Sequence, residues 1–452
     1  MSDKDMNKII KELSVLVKEN NRIDPELYTK YEVKRGLRNS NGTGVLVGLT
    51  KIGDVHGYIM DGGEKVPDQG TLSYRGIDVK RIVRNFQSEN RFGFEEVCYL
   101  LLFGQLPTKE QLEQFIYLLG QFRMLPDGFT EDMILKSPSN DIMNKLARSV
   151  LVLYSYYDHP DDTGVNNILM QCIELIARFP TLVAYGYQAK AHYYGGKSLY
   201  IHRPQKTLGT AENLLYLMRP DNQYTKMEAE LLDLALVLHA EHGGGNNSAF
   251  TTRVVSSSGT DTYSAIAAAV GSLKGPKHGG ASNKVREMMD DIKANVSNWE
   301  DEDEIEAYLT KILKKEVFDR SGLVYGVGHA IYTLSDPRAV LLKEKALELA
   351  KEKGMTKAFN LYDLIEKLTP GVFAKVKGSD KEICANVDFY SGFVYDMLNI
   401  PSELYTSLFA VSRIAGWCAH RIEEIVGANR IIRPAYKSIT MEKEYVWLKE
   451  RV

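Results

Sequence analysis

The sequence predicts a mostly α-helical fold with two domains and one small N-terminal β element. The chain has 452 residues, which is too long for one small core. Most of its long segments carry apolar residues at spacings of three and four, as one face of a helix does. The alternation of apolar and polar residues that is typical of strands is confined to residues 44–74.

The elements follow in order from the N-terminus. GVLVGL and VHGYIM predict the strands, and the next segments predict helices. These helices are FGFEEVCYLLLFG, TKEQLEQFIYLLGQF, DIMNKLARSVLVLYSYY and NNILMQCIELIARF. A capping box of Thr225 and Glu228 opens a further helix, which we expect to stop at Gly243. Asp336 caps another, with Pro337 at its first position. PSELYTSLFAVSRIAGWCAHRIEEIVG predicts a long helix near the C-terminus.

A domain boundary is predicted at the turn of Gly275 and Pro276. The charged stretch NWEDEDEIEAYLTKILKK and the helices after it suit a smaller unit. We therefore expect a large domain over residues 1–276, a small domain over 277–385, and a return to the large domain with a C-terminal arm over 386–452.

Composition excludes several classes of protein. A net charge of -3 offers no basic excess for a nucleic-acid partner. The first residues mix acids and bases, unlike a signal or transit peptide, and no run of 18 apolar residues predicts a membrane span. The 4 cysteines are far apart, as core thiols in a reducing cytoplasm would be. We expect a soluble cytoplasmic protein.

Some partial motifs do not predict sites. GGKS lacks the first glycine of a phosphate loop, GVGHAI lacks the third glycine of a dinucleotide fingerprint, and HGGG has no GxSxG elbow. His239 and His242 share a helix face, but HAEH is not HExxH and no third ligand is evident. No metal site is predicted.

KGPKHGGASNK, residues 274–284, surrounds His278 with glycines that let the backbone approach a ligand. His278 falls just before a helix N-terminus, where the dipole disfavours imidazolium. A neutral imidazole there can donate a hydrogen bond to an oxyanion. The alternative is a turn histidine that caps a loop.

Further residues lie in settings that suit chemistry, and they also have structural alternatives. His329 lies between small residues in GVGHA. Arg338, in the first turn of a helix, suits a carboxylate, although a surface arginine has the same pattern. Asp388 lies among apolar and aromatic residues that would raise its pKa, although buried aspartates also cap helices. Arg413, in an apolar helix, needs an anion from a substrate or from an internal salt bridge.

The chain resembles the citrate synthase family in motifs that occur in the family's order and spacing. They are HAEHGGGNNSAF, GPKHGGAS, VYGVGHAIYTLSDPR, NVDFYSG, AVSR and IIRP. GTGVLVGLT and LSYRGIDV also look similar to that family, so the match covers nearly the whole chain. The resemblance implies a citrate-synthase-like helical homodimer, whose small domain closes over the cleft.

The resemblance implies an acyltransferase of the tricarboxylic acid cycle that condenses acetyl-CoA with oxaloacetate and hydrolyses citryl-CoA to citrate and CoA. By this resemblance Asp388 is the base that takes a proton from the acetyl methyl group. His278 is the neutral donor to the thioester oxygen, and His329 polarises and protonates the oxaloacetate carbonyl. The CoA thioester is a substrate, so no cofactor is expected.

The resemblance also implies a set of ligands for the oxaloacetate carboxylates. His242, Arg338 and Arg413 match ligands within one chain, and Arg433 matches an arginine that the family donates across the dimer interface. The active sites would then be shared between subunits. Because His242 lies at a helix C-terminal end, we expect the dipole to favour its cation.

The CoA contacts match the family less well. Several family members carry a basic residue between the GxGH histidine and DPR, where AIYTLS supplies none, and Ala385 replaces a proline before NVD. Lys381 fits a CoA-binding lysine by its spacing to Asp388. Gly326 and Gly328 are expected at the same CoA site.

Two alternatives stay open. A 2-methylcitrate synthase would use propionyl-CoA, and one methylene of selectivity is a small energy that sequence reads poorly. FYSGFVY looks closer to citrate synthases. The second alternative belongs to another functional class: a non-catalytic helical scaffold or a metal-binding helical protein.

Overall fold

The computed structural model describes residues 3–329, 331–379, 382–427 and 430–451, and it confirms the mostly helical prediction. The helices are α1 (Asp3–Asn20), α2 (Pro25–Lys30), α3 (Val79–Ser88), α4 (Phe94–Phe103), α5 (Lys109–Phe122), α6 (Ile142–Leu153), α7 (Val165–Tyr193), α8 (Thr210–Met218), α9 (Lys226–His239), α10 (Asn247–Ser256), α11 (Thr262–Lys274), α12 (Ala281–Asn295), α13 (Glu302–Leu313), α14 (Pro337–Glu352), α15 (Thr356–Lys377), α16 (Val387–Met397) and α17 (Tyr405–Gly427). The strands are β1 (Gly53–Asp61), β2 (Glu64–Tyr74) and β3 (Ile77–Asp78).

The chain forms two compact units. One comprises Met1–Leu49 with Ile59–Val66 and contains α1 and α2. The other comprises Thr50–Tyr58 with Pro67–Val452 and contains the remaining helices. The predicted domain boundaries at residues 276 and 385 stay a prediction.

Helices α7 and α17 form the centre of the second unit, where they pack against each other. Helix α17 also contacts α4, α9, α10 and α11. Helix α7 is long and apolar enough to span a membrane, but 83% of its apolar 18-residue stretch is buried inside the protein, as in a core helix. The apolar surface of α7 is therefore used for packing.

The helix caps follow the predicted signals. Thr225 Oγ1 accepts from Glu228 N–H, and the Glu228 carboxylate accepts from Thr225 N–H, as a capping box requires. Asp336 caps α14, with Pro337 at its first position. The predicted end of α9 at Gly243 is wrong, because the helix ends at His239. The carbonyl oxygens of Val237 and His239 instead accept from Tyr74 Oη and Arg413 Nε, so side chains from elsewhere satisfy this end.

The strands form one sheet in the order β1-β2-β3. Gly62 and Gly63 join β1 to β2, with φ of 56° and 88°, values that glycine adopts without a steric cost. VHGYIM lies in β1, as predicted, but residues 44–49 form no strand, which corrects the prediction from GVLVGL. Leu46 and Leu49 are exposed there, at 84% and 88%, so their alternation with glycine does not reflect a buried sheet face.

Candidate active site

Two buried arginines form the floor of a site at the centre of the second unit. Arg338 in α14 and Arg413 in α17 are 4% and 0% exposed. Asp336 holds Arg338 by accepting from its Nε at 3.0 Å and its guanidinium NH2 at 2.7 Å. The second oxygen of Asp336 also accepts from Val387 N–H at 3.1 Å, at the start of α16. One buried carboxylate therefore fixes Arg338 next to α16.

Arg413 has unused hydrogen-bonding capacity. Its Nε donates to His239 O at 2.7 Å, and its guanidinium lies 4.6 Å from the centroid of the Phe409 ring. The two terminal nitrogens are buried without a hydrogen-bond partner among the described residues. Burial lowers the pKa of Arg413 to about 10, and the group stays charged at neutral pH. A fork of buried donors that lacks an acceptor is suited to bind a carboxylate.

His242 lies beyond the end of α9, and its ring centroid is 5.5 Å from that of His329. Burial lowers the pKa of His242 well below its usual value, and the positive charges of Arg338 and Arg413 lower it further. The expectation that a helix dipole favours the cation is therefore wrong, because desolvation and two nearby guanidinium groups outweigh a helix that ends at His239. His242 Nε2 is buried without a partner in the described part of the chain, which leaves it for a ligand.

His278 lies immediately before α12, as the sequence predicts, in a turn that Gly275 closes by accepting from His278 N–H at 2.9 Å. Its Nε2 accepts from Ser248 N–H at 3.3 Å and lies 2.9 Å from Ser248 Oγ. In the neutral ring this leaves Nδ1–H as the donor. Burial lowers the pKa of His278 to about 4, and Arg413 contributes to that decrease. The imidazole is therefore a neutral donor, and desolvation is the main cause.

His329 is held in a complementary way. Its Nδ1 lies 3.1 Å from Ile331 N and 3.2 Å from Tyr332 N, and both N–H groups donate to it. The ring stacks on Tyr332 with centroids 4.9 Å apart. Because Nδ1 accepts, the neutral ring carries its proton on Nε2 and presents an N–H there.

Asp388 is at the second position of α16, whose cap Asn386 accepts from Asp388 N–H at 3.1 Å. Burial raises the pKa of Asp388 to about 6, while Arg338 and Arg413 oppose the increase. The predicted desolvation of this carboxyl is confirmed. A carboxylate with a pKa near neutral is a stronger base than an exposed one and is still ionised at pH 7.

Gly326 and Gly328 connect the His329 segment to the start of α16. Both have positive φ, 80° and 91°, which favours glycine. Gly328 N–H donates to Cys384 O at 2.8 Å, and Asn386 N–H donates to Gly326 O at 2.9 Å. These bonds bring His329 and Asp388 to the same place, and the CoA contact predicted for the two glycines stays a prediction.

The structure thus brings His278, His329 and Asp388 together with the buried His242, Arg338 and Arg413. Each of the first three is partly exposed, whereas the other three are buried. The arrangement combines a carboxylate base, two neutral N–H donors and an anion-binding floor. Such a site can remove a proton from carbon next to a carbonyl and stabilise the resulting oxyanion.

One predicted site residue, Arg433, is not brought to this cluster, and another, Lys381, is not described. Arg433 is exposed in the segment 430–451, where the neighbouring Ile432 N–H donates to Ser257 Oγ at 3.0 Å. Lys381 lies outside the described residues, so its predicted CoA contact stays a prediction. No group of His, Cys, Asp and Glu within the described ranges is placed to hold a metal ion.

Sequence reasoning missed the residues that hold the cluster in place. Trp417 Nε1 donates to Ser248 Oγ at 3.1 Å, which anchors the partner of His278. Next to His242, Glu241 Oε1 lies 3.0 Å from Nε2 of the buried His420. Only HAEHGGGNNSAF, which contains Glu241 and Ser248, marked this region, and no motif indicated the contacts with α17.

Comparisons with known proteins identify similar sequences. The family model described as "Citrate synthase, C-terminal domain" matches residues 40–435. A citrate synthase from Synechocystis sp. is 33% identical, over 85% of this chain and 89% of that protein. A 2-methylcitrate synthase from Shewanella oneidensis is 31% identical, over 80% of this chain and 87% of that protein.

The fold is similar to a solved structure as well. That structure is the ternary complex of carboxymethyl coenzyme A and oxaloacetate with citrate synthase from Thermoplasma acidophilum. The TM-score is 0.74 and the sequence identity is 26%, over 93% of this chain and 99% of the other.

Proposed function

The chain belongs to the citrate synthase family, and we propose that it condenses acetyl-CoA with oxaloacetate and hydrolyses citryl-CoA to citrate and CoA. The observation that carries this proposal is the site itself: Asp388, with its pKa raised to about 6, shares a buried arginine floor with two histidines that act as neutral donors. As an acyltransferase, the enzyme would supply citrate to the tricarboxylic acid cycle in the cytoplasm.

The first step is removal of a proton from the acetyl methyl group by the Asp388 carboxylate. His278 donates from Nδ1 to the thioester oxygen as negative charge develops there, since its Nε2 accepts from Ser248. A neutral His278 suits this position, because a protonated imidazolium could instead give its proton to the Asp388 carboxylate and so remove the base.

In the second step the enol carbon attacks the oxaloacetate carbonyl. Nε2–H of His329 polarises this carbonyl and protonates the oxygen, because Nδ1 is occupied by two backbone N–H groups. The unpaired donors of Arg413 and the buried Arg338 hold the oxaloacetate carboxylates, together with neutral His242. Water then hydrolyses the thioester. The CoA thioester is consumed as a substrate, and we propose no separate cofactor.

A thiol-release assay with acetyl-CoA or propionyl-CoA, each with and without oxaloacetate, tests this function. We expect oxaloacetate-dependent release of CoA that is faster with acetyl-CoA. Faster release with propionyl-CoA would instead favour a 2-methylcitrate synthase, an activity that relatives of similar identity carry in their names. No release with either thioester would favour a non-catalytic protein.

We propose that the enzyme is a homodimer with shared active sites, in which Arg433 reaches the oxaloacetate site of the partner. Its segment carries many exposed large apolar side chains, as a segment that packs against another chain does. They are Ile431, Tyr436, Met441, Tyr445, Trp447 and Leu448.

Mixing two impaired variants, at an oxaloacetate concentration too low for Arg433→Ala to turn over, tests the shared site. Arg433→Ala should raise the oxaloacetate requirement without unfolding the chain, because Arg433 is exposed. In heterodimers with Asp388→Asn, one site collects both lesions and the other collects neither, so activity should return toward about half of wild type. If subunit exchange is verified and no activity returns, Arg433 does not act in the partner's site.

A further inference from the structure

The segment 331–336 joins the catalytic histidine region to α14 without helix or strand of its own. It nevertheless has to place two groups. The N–H groups of its first two residues donate to His329, and the carboxylate of its last residue, Asp336, accepts from the guanidinium of Arg338. An irregular segment needs contacts from elsewhere to hold one conformation. The β1-β2 hairpin supplies these contacts.

Three hydrogen bonds tie the segment to the hairpin. Thr333 Oγ1 donates to Gly57 O at 2.8 Å, in β1. Ser335 Oγ donates to Gln69 Oε1 at 2.8 Å and accepts from Gly70 N–H at 3.3 Å, both in β2. The segment is therefore held at two points, Thr333 and Ser335.

The hairpin also approaches the segment too closely for any side chain at two positions. A Cβ atom on Gly57 would lie 2.7 Å from Ile331 O and 3.0 Å from Tyr332 Cα. A Cβ atom on Gly70 would lie 1.9 Å from Ser335 O. The obstructing atoms belong to backbone, so a substitution displaces the segment and not only a flexible side chain.

Gly57 lies against the peptide that holds the imidazole of His329 in place. Gly57 faces the peptide of Ile331 and Tyr332, and the N–H groups of those two residues donate to Nδ1 of His329. These two bonds make Nδ1 an acceptor and assign the proton to Nε2. Tyr332 adds a stacked ring at 4.9 Å, which limits rotation of the imidazole.

We propose that Gly57 and Thr333 are positioning residues, through which the hairpin fixes the tautomer and the orientation of His329. Gly57 allows the close approach of the Ile331–Tyr332 peptide, and the Thr333 hydroxyl anchors that peptide to the strand. Neither residue belongs to the proposed set of substrate ligands. The catalytic consequence rests on the proposed function, whereas the tautomer itself does not.

Thr333 gives the cleaner test, because two variants separate its hydroxyl from its shape. Thr333→Val keeps the volume and removes the donor, and Thr333→Ser keeps the donor. We expect Thr333→Val to lower kcat about tenfold, since misplacement of a catalytic group by a fraction of an ångström is costly. Thr333→Ser should stay within about twofold of wild type.

Gly57→Ala should lower kcat by more, roughly a hundredfold. Gly271→Ala, where no atom of the residues that the structure describes lies within 4 Å of the added Cβ, is the matched glycine control.

The second readout is the nitrogen spectrum of histidine-labelled protein without substrate. The His329 signals are assigned as those missing from His329→Gln. We expect an unprotonated Nδ1 in wild type and Thr333→Ser, and a mixture of tautomers in Thr333→Val and Gly57→Ala. The infrared carbonyl band of bound oxaloacetate should shift in the same variants, because its polarisation depends on Nε2–H.

The outcomes separate this proposal from the proposed function. If Thr333→Val keeps both the wild-type kcat and a single tautomer, the positioning role is refuted. If Gly57→Ala does not fold, the two Thr333 variants still decide. If wild type releases no CoA, the proposed function fails, but a tautomer change in Thr333→Val alone still supports the positioning role.

Discussion

Asp388→Asn should stabilise the folded chain while it removes activity. Burial raises the pKa of this carboxyl from 3.8 to about 6, so the folded state holds its proton more tightly than the unfolded state. As pH rises between these values, the unfolded chain releases the proton first, and the stability contributed by this group falls. Above the pKa of Asp388 in the folded state, the loss of folding stability has reached its full size. The uncharged amide of Asp388→Asn does not ionise, so the variant has no such loss.

The magnitude follows from the two pKa values. A difference of about 2 in pKa, at 1.36 kcal/mol each, gives a loss of about 3 kcal/mol at pH 8. At pH 5 the unfolded group is largely ionised and the folded group is largely protonated, which gives about 1.5 kcal/mol. The gain from Asp388→Asn should therefore roughly double between these two pH values.

Urea unfolding at pH 5 and pH 8 measures this gain, with Asp303→Asn as the control. Asp303 is exposed at the start of α13, and the same chemical change there should alter stability by no more than about 0.5 kcal/mol. Turnover of Asp388→Asn should fall at least about a thousandfold in the thiol-release assay. A gain that is equal at both pH values, or a loss at pH 8, would show that the carboxyl is not destabilised by burial.

Other predictions test the groups around this base. Ser248→Ala should lower kcat about tenfold with little change in the KM for oxaloacetate, because it removes the hydroxyl next to His278 Nε2 and leaves the oxaloacetate ligands in place. Steady-state kinetics measure both constants, and a raised KM with an unchanged kcat would contradict this. Arg413→Lys loses the fork and the bond to His239 O, so the Kd for oxaloacetate, measured by calorimetry, should rise at least about tenfold. His242→Gln should leave the pH dependence of that Kd unchanged between pH 6 and pH 8, since burial keeps His242 neutral; loss of a pH-dependent component would show that its cation binds the ligand.

Local signals in the sequence predicted the helices well, because the start of a helix depends on residues that are neighbours in the sequence. Thr225 with Glu228 and Asp336 with Pro337 begin helices where predicted. The end of α9 was predicted wrongly, since Tyr74 and other distant residues occupy its last carbonyl oxygens. Residues 44–49 were also predicted wrongly, because alternation indicates a strand only when one side of it is buried.

The reactive groups of the site were found from motifs, whereas their supports were not. Histidines among glycines and an aspartate among aromatic residues are visible in sequence, and the structure brings all of them together. The tautomer of His278 depends on Ser248, 30 residues away. That of His329 depends on the N–H groups of Ile331 and Tyr332, and the peptide between these two residues lies against the distant Gly57. Because such contacts arise only from tertiary packing, no local pattern reports them. The charge state of His242 was mispredicted for the same reason.

Burial reverses the usual order of two pKa values in this site, and the reversal has a chemical consequence. With ordinary values, 3.8 for an aspartate and 6.5 for a histidine, Asp388 and His278 would both be charged between these pH values. The imidazolium would then attract the carboxylate and weaken it as a base. Here the pKa of Asp388 is about 6 and that of His278 is about 4. The carboxylate ionises only after His278 has become neutral, so the charged pair is never the main form at any pH. One cause, desolvation, thus raises the pKa of Asp388 against the opposing charges of Arg338 and Arg413, lowers the pKa of His278, and gives both a strong base and a neutral donor.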